Sequence, residues 1–314
     1  MVHYTPISLQ NISELSILNS IRRGWISEIA WAPTGQALAI ADASGVVVYV
    51  GGIGGTPAHT LTDHAGPVKC VCFSQDGHWM ATGSADTTIR LWALDYEAGT
   101  ARISQLLEGH EDAVEDLAFN PRGDVLVSCS ADRTIRLWDV ANGALKDMLQ
   151  GHEQLISAVN FALDGQIIVS GSWDNTIRLW DAHGETQGTV LGCHDDWLRG
   201  LAVSPGGSIL ASASKDMTVR LWDLIDAEQE FILQAHVAGA DVVAFHPQGH
   251  LLATGGRDHL IKLWDVNTGE QLGMLEGHEK PVLALSFNPT GSLLVSGAGD
   301  NKVNVWGVAP ARQD

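Results

Sequence analysis

The chain has 314 residues, more than most single domains hold but within reach of one large all-β domain, and 45% of them are hydrophobic, enough for a sizeable core. Its 18 Lys and Arg against 37 Asp and Glu leave a net charge of −19. That balance excludes a whole-surface affinity for nucleic acid or anionic lipid, which needs neutralising cations, and leaves room only for a local basic site.

In chain order, residues 1–18 read MVHYTPISLQNISELSIL, with no basic region before an apolar run, so no secretory signal is predicted. GVVVYVGGIGG (45–55) is too short and too rich in glycine to span a bilayer. From residue 64 onward a repeat takes over. His recurs at His64, His110, His152, His194, His236 and His278, first 46 residues apart and then 42 each time. An Asp lies 22 residues after each: Asp86, Asp132, Asp174, Asp216, Asp258 and Asp300. A hydroxyl stands four residues before each Asp, at Thr82, Ser128, Ser170, Ser212, Thr254 and Ser296. A Trp lies 28 residues after each His, at Trp92, Trp138, Trp180, Trp222, Trp264 and Trp306. One step back from His64 reaches Arg22, where the strand rhythm and a PTG turn survive but the markers become Arg22, Ile40, Ser44 and Val50. This is a seventh, degenerate copy.

Within a copy every signal is β. VEDLAFNPRGDVLVSCSADRTIRLWDV alternates apolar and polar residues in short runs broken by PRG and SAD turns, and a fourth run such as ALKDMLQ follows the Trp. Four strands per copy and no helix are predicted. The DYEAGTA stretch (95–101) is a four-residue extension that produces the longer first interval.

GH, a hydroxyl, Asp and LWD in fixed order, as in GHEDAV…SCSADRTIRLWD, resemble the WD-repeat β-propeller family across roughly residues 12–308. The resemblance implies an all-β, seven-bladed propeller with four antiparallel strands per blade. It departs from the family pattern in the first copy and at WAL and WGV, which replace WD at 92–94 and 306–308. Closure has a physical reason of its own, because a lone blade leaves raw apolar faces that only a ring removes. The family closes its ring with an N-terminal strand, and SELSILN (13–19) occupies that place. The implied organisation is an N-terminal segment 1–20 supplying the outer strand of blade 7, seven repeats over 21–308 and a short C-terminal tail over 309–314.

Ser or Thr, His and Asp together suggest hydrolase chemistry, but six copies argue otherwise. Catalysis needs one site with an oxyanion hole, whereas a staple is needed in every blade, and no GxSxG elbow is present. The family resemblance makes these tetrads structural, Trp donating to the hydroxyl, the hydroxyl bonding His and His bonding Asp. The first copy lacks this network, and its run of valines suggests an apolar strand packed without a polar staple. The four cysteines fit neither a zinc site nor a redox pair, and the remaining histidines show no metal spacing, so no cofactor or metal is expected. Buried free thiols point to a cytoplasmic protein.

Specificity in a repeat scaffold belongs to the loops. Family analogy exposes, on one rim, the positions three and five after His and the one before Asp. Trp173, Leu155 and Trp197 then fall on blades 4 and 5, and Arg199, Lys215 and Arg257 continue the strip onto blade 6 with only Asp241 opposing them. Aromatics beside arginine have the composition of interaction hot spots. Two readings stay open for the tryptophans, a binding surface or a mutual stack that caps the channel. Trp25, among small neighbours, reads as packing.

The function expected is therefore a non-enzymatic scaffold, monomeric by itself. It would bind a protein or peptide that offers apolar or aromatic groups beside acidic ones, without nucleic acid or membrane. The alternative is a small-ligand or catalytic propeller using the central channel, for which the rim positions offer only Glu115 and Asp241 as carboxylates.

Overall fold

The second run of each repeat is built of small and apolar residues, as in VLVSCS and ILASAS, and it becomes the most deeply buried strand of its sheet. The fourth runs, such as LKDMLQ, are polar and lie mostly in solvent. In the computed structural model, which describes residues 4–51, 57–96, 100–183 and 188–309, these runs assemble into seven four-stranded antiparallel sheets. Six sheets each take four consecutive strands, giving blade 1 over 26–61, blade 2 over 68–107, blade 3 over 114–150, blade 4 over 156–193, blade 5 over 198–234 and blade 6 over 240–275. Blade 7 takes Val282–Phe287, Leu294–Ala298 and Lys302–Val308 from the C-terminal end, and its outer strand is Leu15–Arg22.

That closing strand runs from Leu15 opposite Val308 to Arg22 opposite Lys302, with a bulge between Ile17 and Asn19. It starts two residues later than expected and extends three further, so Ile21 and Arg22 belong to blade 7 rather than to the first repeat. The reason lies just upstream, where Ile12–Glu14 forms a 3-10 turn. Ile7 and Ile12, 1% and 6% exposed, pack with Leu251, Leu275 and Trp306 along the seam between blades 6 and 7. The Ile7 N–H donates to the Gly291 carbonyl at 2.8 Å. The tip of the 95–101 extension (97–99) and the tail beyond Ala309 lie outside the described residues.

Neighbouring blades interlock through one small residue in each second strand. A Cβ built on Gly83, Gly171, Gly255 or Gly297 would come within 2.3–2.7 Å of Val114, Leu198, Val282 or Ile26, the first inner-strand residue of the next blade. Gly297 of blade 7 receiving Ile26 of blade 1 is the ring closing on itself. Such knob-and-notch contacts leave no void, as close-packed interiors require. The hairpin turn after each marker Asp needs a left-handed residue, and Thr87, Arg133, Asn175, Met217, His259 and Asn301 supply it with φ of 64–76°. Among the described residues, no helix is long and apolar enough to cross a membrane.

Candidate functional site

In six blades the marker residues meet as one hydrogen-bonded chain. The Trp Nε1–H donates to the Ser or Thr hydroxyl at 2.8–3.0 Å. That hydroxyl bonds the His Nε2 at 2.7–2.9 Å. The His Nδ1–H in turn donates to the Asp carboxylate at 2.8–3.1 Å. The hydroxyls are fully buried and the tryptophans nearly so. Burial opposes charge on Asp86, Asp132, Asp174 and Asp216. Bonds from the following Thr, the His and the next backbone N–H outweigh it and hold these carboxyls far below their usual range. Desolvation lowers the pKa of His64, His236 and His278 despite their Asp partners. Every polar atom of the chain is therefore engaged in tying a loop to two strands.

Blade 1 differs from its expected form. Ile40 and Val47 do pack apolarly, but a polar substitute lies two residues further along the second strand. Asp42, 1% exposed, accepts from the Ser44 N–H at 2.8 Å and pairs with Arg23 at 3.3 Å.

On the rim, Trp173 of blade 4 and Trp197 of blade 5 stack with parallel planes and centroids 4.2 Å apart. The Lys215 ammonium sits 4.2 Å from the centroid of Trp197, and since Trp173 covers one face of that indole, the ammonium must lie over the other. Stacking and cation–π contacts of this kind contribute about 0.5–1.5 kcal/mol each. The order is indole, indole, ammonium, then the Asp196 carboxylate 3.1 Å from Lys215. A backbone link fixes the spacing within each blade: the Trp173 N–H donates to the Leu155 carbonyl and the Lys215 N–H to the Trp197 carbonyl, both at 2.9 Å. Trp173, Leu155 and Trp197 are all half-buried.

The cations are less free than the sequence suggested. Arg199, with its side chain 13% exposed, is paired with Asp241, and Arg257 reaches the same carboxylate at 3.2 Å. Lys215 has Asp196, two residues after His194, at a position the sequence reading had not placed on the rim. Three cations thus face two carboxylates, and the local excess is one positive charge carried by the exposed Arg257. Trp25 is also not packed away. It is 55% exposed, its indole over Gly299 of blade 7.

Below the rim the inner strands enclose a cavity of about 170 Å³. Five residues after the marker in blades 1, 2, 4 and 5, side chains staple one blade to the next. Ser27 and Ser157 donate to the Val68 and Leu198 carbonyls at 2.7 Å, and Lys69 pairs with Glu115 at 3.3 Å. One residue deeper lie two carboxyls that the sequence reading missed, Glu28 and Asp116. They share one repeat position that holds no acid in the other five copies, and within an alternating strand such a residue reads as solvated. Glu28 accepts the Val71 N–H at 3.0 Å and Asp116 the Val159 N–H at 2.9 Å. Burial raises both, Glu28 well above its ordinary value with the Asp116 charge adding to it, and Asp116 to about 7. The channel therefore has four carboxyls in its wall rather than two.

The family model for the WD domain, G-beta repeat, matches residues 55–93, 101–139, 143–181, 185–223, 227–265 and 269–307, well over half of the chain. Among curated proteins the chain is similar to the Notchless protein homolog of Arabidopsis thaliana, 54% identical over 37 residues, which are 12% of this chain and 8% of that protein. It is 43% identical over 51 residues to the pre-mRNA-splicing factor PRP46 of Eremothecium gossypii, 16% of this chain and 11% of that one. Striatin-4 of Homo sapiens is 32% identical over 59 residues, 19% of this chain and 8% of that protein. The chain thus spans about a tenth of the length of these relatives.

Proposed function

Since this chain belongs to the WD domain, G-beta repeat family and folds as its seven-bladed propeller, we propose that it is a non-enzymatic interaction platform that holds a protein or peptide on the rim of blades 4–6. Loops on a rigid scaffold are where such proteins place recognition. The observation that carries the reading is the half-exposed stack of Trp173, Trp197 and Lys215, two indoles and an ammonium joined across adjacent blades. The stack and the binding surface are one object, because a paired, preorganised anchor loses little entropy when a partner docks. Leu155 extends its apolar area. Asp241, shared by Arg199 and Arg257, leaves Arg257 available to a second carboxylate. The partner is accordingly a segment with an aromatic or large apolar residue beside an acidic group. The platform acts as a monomer in the cytoplasm, where its four free cysteines stay reduced, and its net charge of −19 opposes nucleic acid and anionic membranes.

A displayed peptide library, pulled down with wild type, Trp173→Ala and Arg257→Glu, tests this. Both variants should lose the enriched sequences at least tenfold, Arg257→Glu most severely for acidic ones. Equal recovery of every sequence by all three proteins would remove the rim from consideration.

A further inference from the structure

The inner strand of every blade turns one backbone N–H toward the channel, seven residues after the marker. Three of these donors are capped by acids. Val71 gives its N–H to Glu28, and Leu117 and Val159 give theirs to the two oxygens of Asp116, at 2.7 and 2.9 Å. Asp116 shows what one carboxylate can do here: placed between blades 3 and 4, it satisfies a donor from each. The same register continues around the ring, with Ile29 opposite Ile40 and Leu285 opposite Ser296 as Val71 is opposite Thr82. In blades 1, 5, 6 and 7 the corresponding donors, on Ile29, Leu201, Val243 and Leu285, have no side-chain acceptor among the described residues. These four residues stand together in the cavity wall.

Three junctions therefore have two uncapped donors each, and local sterics separate them. Between blades 5 and 6 the acid's position is Gly200, and a Cβ there would already lie 2.8 Å from the Asp241 carbonyl, which repels an incoming anion. Between blades 6 and 7 the position is filled by the branched side chain of Val242. Between blades 7 and 1 it is Ala284, a single methyl beside the N–H groups of Leu285 and Ile29.

We infer that the channel wall between blades 7 and 1 is a carboxylate-binding seat, equivalent to the one Asp116 fills for itself, for which the chain supplies no acid of its own. A carboxyl group there gains two hydrogen bonds from donors that are fixed in place, which offset part of the burial that opposes its charge, as they do for Asp116. The ligand is an unbranched carboxylate, either a small free acid or the acidic tip of a peptide entering from the rim. The seat deepens the rim reading by locating where a partner's acid ends, but it is testable without any partner.

The experiment is a titration of the ¹⁵N-labelled 314-residue chain at about pH 6, below the value to which Asp116 is raised. Sodium acetate is added against sodium chloride at matched ionic strength. The amide resonances of Leu285 and Ile29 should shift saturably with acetate and not with chloride, while those of Val71, Leu117 and Val159 stay in place. Ala284→Asp, which brings the acid in cis, should abolish the acetate response, and the wild-type titration decides the matter even if that variant does not fold. A short peptide ending in glutamate, compared with its glutamine, C-amidated twin, separates the two sources. Saturation at lower concentration than acetate assigns the seat to chain-borne acids, and a response to acetate alone assigns it to small ones. No saturable shift at Leu285 and Ile29, or equal shifts at Val71 and Val159, would overturn the inference. Trp173→Ala should leave the acetate response unchanged, so a failed rim and a failed seat are told apart.

Discussion

Blades 5 and 1 have the same strand plan but are held by different means. Both bulge after the first residue of the inner strand, at Leu198/Gly200 and Ile26/Glu28, and Leu201 faces Ser212 as Ile29 faces Ile40. In blade 5 Ser212 joins Trp222 to His194, and the outer strand runs over Glu228–Gln234. In blade 1 Ile40 replaces the hydroxyl in an apolar cluster, the Arg23–Asp42 pair ties the loop, and the outer strand is only His59–Leu61. Alternation, turns and the small notch residues are thus sufficient for a blade, and the tetrad is a reinforcement added to that plan. A buried polar network helps only when its members are satisfied; six blades achieve this with the tetrad, and blade 1 ties its loop with Arg23, Asp42 and Ser44 instead.

The largest effect should come from the element on which neither kind of blade can economise. Deleting residues 1–20 removes most of blade 7's outer strand and both seam isoleucines, Ile7 and Ile12. By scanning calorimetry the thermal midpoint should fall further than for any single substitution, because blades 6, 7 and 1 lose shared surface together. An unchanged midpoint would mean that the ring does not depend on its closing strand. Next in size is Trp222→Ala. Trp222 is 4% exposed and donates to Ser212, so its loss should cost roughly 3–5 kcal/mol in urea denaturation. Tyr49, which lies opposite Leu38 as Trp222 lies opposite Leu210, is its counterpart in blade 1; it is 6% exposed and joins no tetrad, so Tyr49→Ala should cost about 1 kcal/mol less than Trp222→Ala. Equal losses at the two positions would erase the distinction between the blades.

Much of this was legible from spacing. The tetrads announce themselves because polar residues that recur every 42 positions inside apolar runs need a structural reason. The closing strand was legible from the family resemblance, although its bounds shifted when Ile12–Glu14 turned out to form a tight turn. What escaped was whatever fails to recur in most copies. Glu28 and Asp116 act through the backbone of the next blade, a contact that no pattern within one repeat encodes. Asp196 neutralises Lys215 from a position that carries no marker, and Asp42 rebuilds a polar network two residues away from the missing hydroxyl. Such pairings depend on where side chains meet in space, and periodicity is blind to them.

The most direct test of the division between holding and binding is Ser212→Ala. Ser212 is fully buried and serves both the Trp222 indole and the His194 ring, and it takes no part in the ring and ion contacts of the rim stack. Its removal leaves two buried groups without a partner, so unfolding free energy should fall by about 1–3 kcal/mol. Peptide capture by the folded protein should match wild type. Wild-type stability combined with lost capture would contradict the account, because the tetrad would then be serving recognition rather than the blade.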